Sequence, residues 1–527
     1  MKFTYKLSTP KRLLEVVTMK GHGMVAHMPR SIALVRAALS FLGSTTKALK
    51  LFLGGAPVEA QMELARALIR EAIPLLKNAT KQDMIRFLKL LELIARRKLH
   101  KDQLRQLQKL VEQDHPAIGL LWRLFREANV NCLQHLFEGL GVNAVWLGHL
   151  KRREFVRKHG FIPPFLILIS PTMRCNLNCV GCYAGLYPRT KDPLSFETLD
   201  RIIREGKEMA IYFYTITGGE PFIREDLLDL YELHNDCVFQ VYTNGTRFTP
   251  ELVRRLAELG NVYPAISIEG YEKETDERRG KGVFRKVMEA MDMLKSEGII
   301  FGFSTTVTRY NADVVSDISF YDFLIEKGCM FGWTFLYVPV GKDDDPDMMV
   351  TPEQRDKLRR VELEVRRTRP LAWFDFWSDA PLTDGCLAAG RLYLHINYRG
   401  DIEPCVFAHF ATHNINNCTL IEALQSPFFR EYRRVQRMCK NRLRPCIIID
   451  HNELLEEVIR KTNASPTHDG AEAIITCHSQ KLRQWSSEYA KLADKAWESE
   501  EYDWARNGWY WAWAEEEDEA EQIAVEK

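Results

Sequence analysis

The chain has 527 residues, 46% hydrophobic and 27% charged, with a formal charge of +1, which is an ordinary globular balance with room for more than one domain. A charge this near zero sets up no global field for nucleic acid, and no run of 18 or more uncharged apolar residues offers a spanning helix. The 12 cysteines are not spaced as the framework of a small secreted domain, and the N-terminus lacks an apolar core with a small-residue cleavage site, so a cytoplasmic location is expected.

Residues 1–160 read as a helical N-terminal region. Met62, Ala65, Ile69, Ile73 and Leu76 form one apolar stripe at helical spacing. Thr80 and Asp83 open the next helix as a capping box, with Met84, Leu88, Leu91 and Ala95 on one face. Between Val16 and Val58 there is no Asp or Glu, while Lys20, Arg30, Arg36, Lys47 and Lys50 are spread among apolar runs. This stretch reads as a helix packed on the barrel with its cations in water. The alternative is a basic amphipathic helix lying on an anionic membrane, peripheral at the inner membrane face.

Between 161 and 345, short β-rich runs alternate with helical ones. Strands are expected at 165–170, 211–217, 238–243, 262–268, 299–307 and 331–338, with helices near 196–209, 224–235, 249–259, 283–297 and 313–327. Six strands in β–α alternation predict an α/β fold of parallel strands with right-handed crossovers, too few for a closed eight-fold barrel. In such folds the chemistry sits on loops at the C-terminal ends of strands.

Directly after the first run come Cys175, Cys179 and Cys182, spaced C-x3-C-x2-C. Thiolates ligate iron–sulfur clusters, and a four-iron cluster normally takes four of them. Three on one loop hold three corners and leave an iron open to a small molecule. A structural zinc loop would instead favour paired C-x2-C ligands with a second pair close by, and no such pair is close in the sequence. One strand later stand Gly218, Gly219, Glu220 and Pro221, two glycines that permit close backbone approach and a proline that stiffens the exit.

Together these residues closely resemble the radical S-adenosylmethionine (SAM) enzymes. The resemblance implies a partial (β/α)6 radical SAM barrel. It also implies a 4Fe–4S cluster that cleaves SAM reductively to a 5′-deoxyadenosyl radical, which abstracts hydrogen from a substrate carbon. Cys175, Cys179 and Cys182 would hold that cluster, and Gly218, Gly219 and Glu220 would contact the methionyl amino group, with Pro221 beside them. Ser267 and Glu269 end the fourth strand, where family side chains meet ribose or methionine, and Arg309 ends the fifth with a charge suited to the SAM carboxylate. Many members carry an aromatic before the last cysteine; here that position is Gly181, and Tyr183 on the other side would cover the cluster or the adenine. A plain electron carrier would have no use for a SAM-binding strand end.

After 345 the alternation stops, and 346–450 reads as a linker helix and a small Cys-rich auxiliary domain. Cys386, Gly400 and Cys405, spaced C-x13-G-x4-C about a strand at 392–397, resemble the opening of the SPASM extension, truncated and twitch-like because the dense cysteine block that follows there is absent. The resemblance implies one auxiliary 4Fe–4S cluster on Cys386, Cys405 and Cys446, its fourth position open among Cys418, Cys439, His409 or a substrate atom. A zinc site or a metal-free hairpin is the alternative. Residues 451–527 read as a helical tail, with Trp504, Trp509, Tyr510, Trp511 and Trp513 ahead of an acidic run at 515–519. SPASM-like relatives mostly modify peptides or proteins, so a peptide or protein substrate is expected, with a lipid as the alternative through residues 16–58. The electron donor would be a flavodoxin or ferredoxin.

Overall fold

A single curved sheet carries the architecture of the larger unit. Its strands are β1 (Leu166–Ile169), β2 (Phe213–Ile216), β3 (Val238–Thr243), β4 (Val262–Ser267), β5 (Gly302–Val307), β6 (Phe331–Leu336), β7 (Ala372–Asp375), β8 (Tyr393–Ile396) and β9 (Ile402–Glu403). They run in the order β7-β6-β5-β4-β3-β2-β1-β8-β9, and every neighbouring pair is parallel except β8 with β9. The computed structural model describes residues 58–94, 98–146 and 148–506. The basic stretch expected at 16–58 lies outside them up to residue 57, as do Trp509, Tyr510, Trp511, Trp513 and the acidic run at 515–519.

The chain divides into two compact units, Met1–His115 and Pro116–Lys527. In the first, the described helices are Val58–Leu76, Lys81–Ile94 and Lys98–Glu112. Met62, Ala65, Ile73 and Leu76 are buried along the expected stripe, with Ile69 half-buried. The capping box forms: the Asp83 amide donates to Thr80 Oγ1 at 3.2 Å and the Thr80 amide to Asp83 Oδ2 at 3.1 Å. Such a cap contributes about 1 kcal/mol.

In the second unit each of the six expected strands forms within a few residues of its predicted bounds. Two of the helices between them show how local residues set their ends. Ser195 accepts from the Thr198 amide to begin Phe196–Glu208, and Thr249 with Pro250 begins the helix that Gly260 ends in the left-handed region at φ 73°. Leu199, Ile202, Ile203 and Gly206 form the buried face of Phe196–Glu208. A Cβ at Gly206 would sit 2.1 Å from the Tyr214 hydroxyl, so glycine sets how closely this helix lies on β2. The helix Pro116–Glu127 belongs to the same unit: Arg123 donates to the carbonyls of Cys329, Pro370 and Ile325.

The segment after 345 extends the sheet at both ends. β7 adds to β6, and β8, the strand expected at 392–397, pairs with β1 in parallel. Thr351 and Gln354 cap the helix Pro352–Thr368. Its buried Arg355 pairs with Asp450 at 2.5 Å and stacks 3.9 Å from the Tyr489 ring, tying this helix to the loop after Cys446 and to the helix Ser479–Trp497. Leu166, Leu168, Thr215, Tyr242, Ser267, Ser304, Thr306, Trp333 and Phe335 all face one cavity; residues two apart on a strand share a face, so the sheet is an open half-barrel curled around that space. Among the described residues no helix is long and apolar enough to cross a membrane.

Candidate active site

The cysteine loop leaves the C-terminal end of β1 and is laced to the turn after β2. The Gly219 amide donates to the Thr172 carbonyl and the Glu220 amide to the Arg174 carbonyl, both at 2.8 Å. This contact explains the two glycines. A Cβ at Gly218, which has φ 114°, would lie 2.2 Å from the Thr172 oxygen, and one at Gly219 2.2 Å from the Arg174 oxygen. The backbone they admit is therefore that of the cysteine loop itself.

Glu220 is buried and does not face the cavity; nor does Pro221. Its carboxylate accepts from the Thr243 hydroxyl at 2.8 Å, the Asn244 amide at 2.7 Å and the Phe222 amide at 3.2 Å. Burial pushes its pKa up against those donors. A carboxylate has about four acceptor positions, so about one is left. Glu220 thus joins the turn after β2 to the end of β3, where Asn244 Nδ2 donates to Asn176 at 3.0 Å and lies 3.9 Å from Cys175 Sγ.

Cys175, Cys179 and Cys182 all line the cavity, together with Gly218, Gly219, Tyr183 and Ser267, and none of the thiols is in a disulfide. Burial raises the pKa of Cys175 and Cys182, which favours bound metal over free thiolate as the way to hold charge there. Among the described residues, no three His, Cys, Asp or Glu side chains converge on one ion position. All three thiols line the one cavity, and a four-iron cube takes one thiolate per iron.

Two arginines that the sequence reading passed over stand on the same wall. Arg278 and Arg279 both line the cavity and both pair with the buried Glu269, at 2.6 and 2.5 Å. Burial would raise the Glu269 pKa, but the two guanidinium groups outweigh it and hold the carboxyl below its usual range. One carboxylate against two cations leaves a positive charge uncompensated beside Cys179 and Cys182, and both thiols bear on Arg279. Arg278 Nε is buried without a hydrogen-bond partner. Two guanidinium groups on a thiol-lined wall suit an anionic cluster or a carboxylate. Glu269 itself stands behind the wall. Arg309 is off it: its backbone amide donates to the Met348 carbonyl at 2.9 Å and its Nε to the Met349 carbonyl at 3.2 Å.

The Tyr183 hydroxyl accepts from the Gly218 amide at 3.2 Å and lies 2.9 Å from Thr217 Oγ1. Burial pushes its pKa up to about 12, so the phenol is neutral. Ser170 lies close to it, and the Ser170 hydroxyl is 2.7 Å from His395 Nε2; His395 Nδ1 is in turn 2.6 Å from Glu403. Ser170, His395 and Glu403 are all buried, so β8 and β9 brace the wall of the cavity through a polar chain.

A second group of cysteines lies beyond that brace. Cys386, Cys405, Cys439 and Cys446 are all near enough to Tyr432 for their charges to raise its pKa, after burial the main causes. Of the candidates for the fourth position, Cys439 is therefore with the other three. Cys418 donates to the Asn414 carbonyl and neighbours Glu422 and Glu205. His409 is held between His468 at 2.7 Å and the Val406 carbonyl at 2.9 Å.

The cavity holds about 210 Å³. Away from the thiols its wall is apolar, closed by Phe335, Phe376, Phe407 and Tyr393, with ring centroids 5.5 Å apart for Phe335 and Phe376 and 5.8 Å for Phe376 and Tyr393.

An open parallel barrel, with free thiols and a glycine turn at the C-terminal ends of adjacent strands, defines an iron–sulfur-dependent enzyme. Sequence comparison narrows the class. The model of the Radical SAM superfamily matches residues 169–318. Mycofactocin maturase MftC of Mycobacterium tuberculosis (strain ATCC 25618 / H37Rv) is 30% identical over 297 residues, covering 53% of this chain and 75% of that protein. AdoMet-dependent heme synthase of Methanosarcina barkeri (strain Fusaro / DSM 804) is 30% identical over 209 residues, 39% of this chain and 59% of that one. Among solved structures, Streptococcus suis SuiB bound to precursor peptide SuiA superposes with a TM-score of 0.45 at 18% identity, over 60% of this chain and 83% of that one. The chain belongs to the radical SAM superfamily. It is an enzyme that uses a 4Fe–4S cluster and SAM.

Proposed function

We propose that Cys175, Cys179 and Cys182 ligate three irons of the SAM-binding cluster, and that Gly218 and Gly219 form the seat of the methionyl group. The carrying observation is that these five residues share one cavity wall. When bound, the cluster and SAM supply the 5′-deoxyadenosyl radical that abstracts hydrogen from a substrate carbon. The protein's own part is to hold and shield. Glu220 and Pro221 fix the turn from behind, Tyr183 covers it, and Ser267 is placed for ribose or methionine. Arg278, which lines the cavity where Arg309 does not, takes the carboxylate role expected of Arg309. Glu269 keeps both arginines in place.

Cys386, Cys405 and Cys446, with Cys439 as the fourth ligand, hold the auxiliary 4Fe–4S cluster. The substrate is a peptide or protein, as the SPASM-like cysteine spacing and the maturases among the relatives favour, and an apolar side chain suits the cavity's aromatic wall. A flavodoxin or ferredoxin supplies the electron. The heme synthases among the relatives favour a second reading, a tetrapyrrole substrate. The lipid alternative has its support in residues outside the described ones. The test is the rate of 5′-deoxyadenosine formation by reconstituted, reduced enzyme. Short peptides encoded beside its gene should raise it above the substrate-free rate, and coproporphyrin should not. The reverse pattern would replace the peptide with the tetrapyrrole.

A further inference from the structure

Tyr393, at the start of β8, touches two places at once. Its ring is part of the cavity wall, while its hydroxyl donates to Cys405 Sγ at 2.8 Å. Cys405 receives a second donor, the Phe407 amide at 3.5 Å, and the Phe407 ring also walls the cavity. Both residues that hydrogen-bond this sulfur therefore also line the space where substrate would sit. Cys446 differs: its donor, the Ile448 amide at 3.4 Å, belongs to no part of the cavity wall.

Packing alone does not call for tyrosine here. Phenylalanine would fill the same space against Phe376, and the side chain is only 4% exposed, so water does not serve its hydroxyl. A buried tyrosine hydroxyl usually finds a partner, and this one has a sulfur. A hydrogen bond to a cluster-ligating sulfur stabilises the more negative, reduced state more than the oxidised one, and so raises the reduction potential.

We propose that Tyr393 sets the reduction potential of the auxiliary centre through Cys405 and makes that potential respond to what occupies the cavity. The inference rests on the reading that Cys405 ligates an auxiliary cluster. Tyr393 is a positioning residue: it acts through the sulfur, and its ring is the part that lines the cavity. By linkage, if an occupant shifts the cluster's redox equilibrium by some factor, the cluster's redox state shifts the occupant's affinity by the same factor.

The experiment compares full-length wild type with Tyr393→Phe, both reconstituted anaerobically, by iron analysis and by redox titration followed by electron paramagnetic resonance. With about eight irons in each, the auxiliary signal of the variant should be harder to reduce by about tenfold, or about 59 mV for one electron. The signal that SAM perturbs should not move. Equal auxiliary potentials in the two proteins would overturn the inference while leaving the two-cluster reading standing. About four irons in wild type would remove the auxiliary cluster, and the inference with it. Should the variant alone lose its second cluster, 3,5-difluorotyrosine at position 393 decides: the stronger donor should raise the potential, and an unmoved potential overturns the inference.

Discussion

Glu269 and Arg279 form a buried ion pair 2.5 Å apart at the edge of the thiol-lined cavity. Arg278 shares the same carboxylate oxygen at 2.6 Å, and the other oxygen accepts from the Thr306 amide at 3.0 Å. One carboxylate from the end of β4 thereby fixes two cations that face the cysteine loop.

Glu269→Gln should destabilise the protein strongly, because it keeps the shape and leaves two largely buried guanidinium groups without an anion. Breaking a buried pair in this way costs about 3–5 kcal/mol. The urea midpoint should fall accordingly. An unchanged midpoint would mean that the arginines find solvent or another partner.

Gly219→Ala should act on the cysteine loop and not on the sheet. The added Cβ meets the Arg174 carbonyl, a backbone atom that can move only if the loop moves. Iron at the SAM-binding centre should drop while the auxiliary centre keeps its share, read as total iron per chain against wild type. Full iron content would show that the loop tolerates the shift.

His409 predicts a pH dependence of stability. Burial is the main cause that lowers its pKa, from 6.5 to about 4. The unfolded chain therefore binds a proton between those values that the native state does not. The stability His409 contributes is complete above about pH 6.5 and is lost as pH falls toward 4, on the order of 3 kcal/mol in all. Thermal unfolding of wild type should steepen over that window, and His409→Gln should show a shallower slope. Parallel slopes would contradict the assignment.

The six strands β1–β6 were legible because short apolar runs alternate with helical segments, two of which open on the side-chain caps Ser195 and Thr249. β7 was not, since four residues, Ala-Trp-Phe-Asp, have too short a pattern to distinguish a strand from a loop. β8 was visible as a strand but its place was not: parallel pairing with β1 is a long-range event with no local signal. The same holds for side chains. Ser170 and His395 meet across 225 positions, and Arg278 and Arg279 look like the charged end of the helix Glu272–Arg279 until β4 brings Glu269 beneath them. The cysteine spacing needed no such partner, being carried on one loop. The gathering of Cys439 with Cys386, Cys405 and Cys446 needed the fold.

The most direct test of the account is SAM cleavage by the full-length protein with Cys175, Cys179 and Cys182 all changed to Ala. Reduced wild type should form 5′-deoxyadenosine slowly even without substrate, and the triple variant should form none while keeping about half of the iron. A triple variant that retains all its iron, or still yields 5′-deoxyadenosine, would contradict the placement of the SAM-binding cluster on this loop.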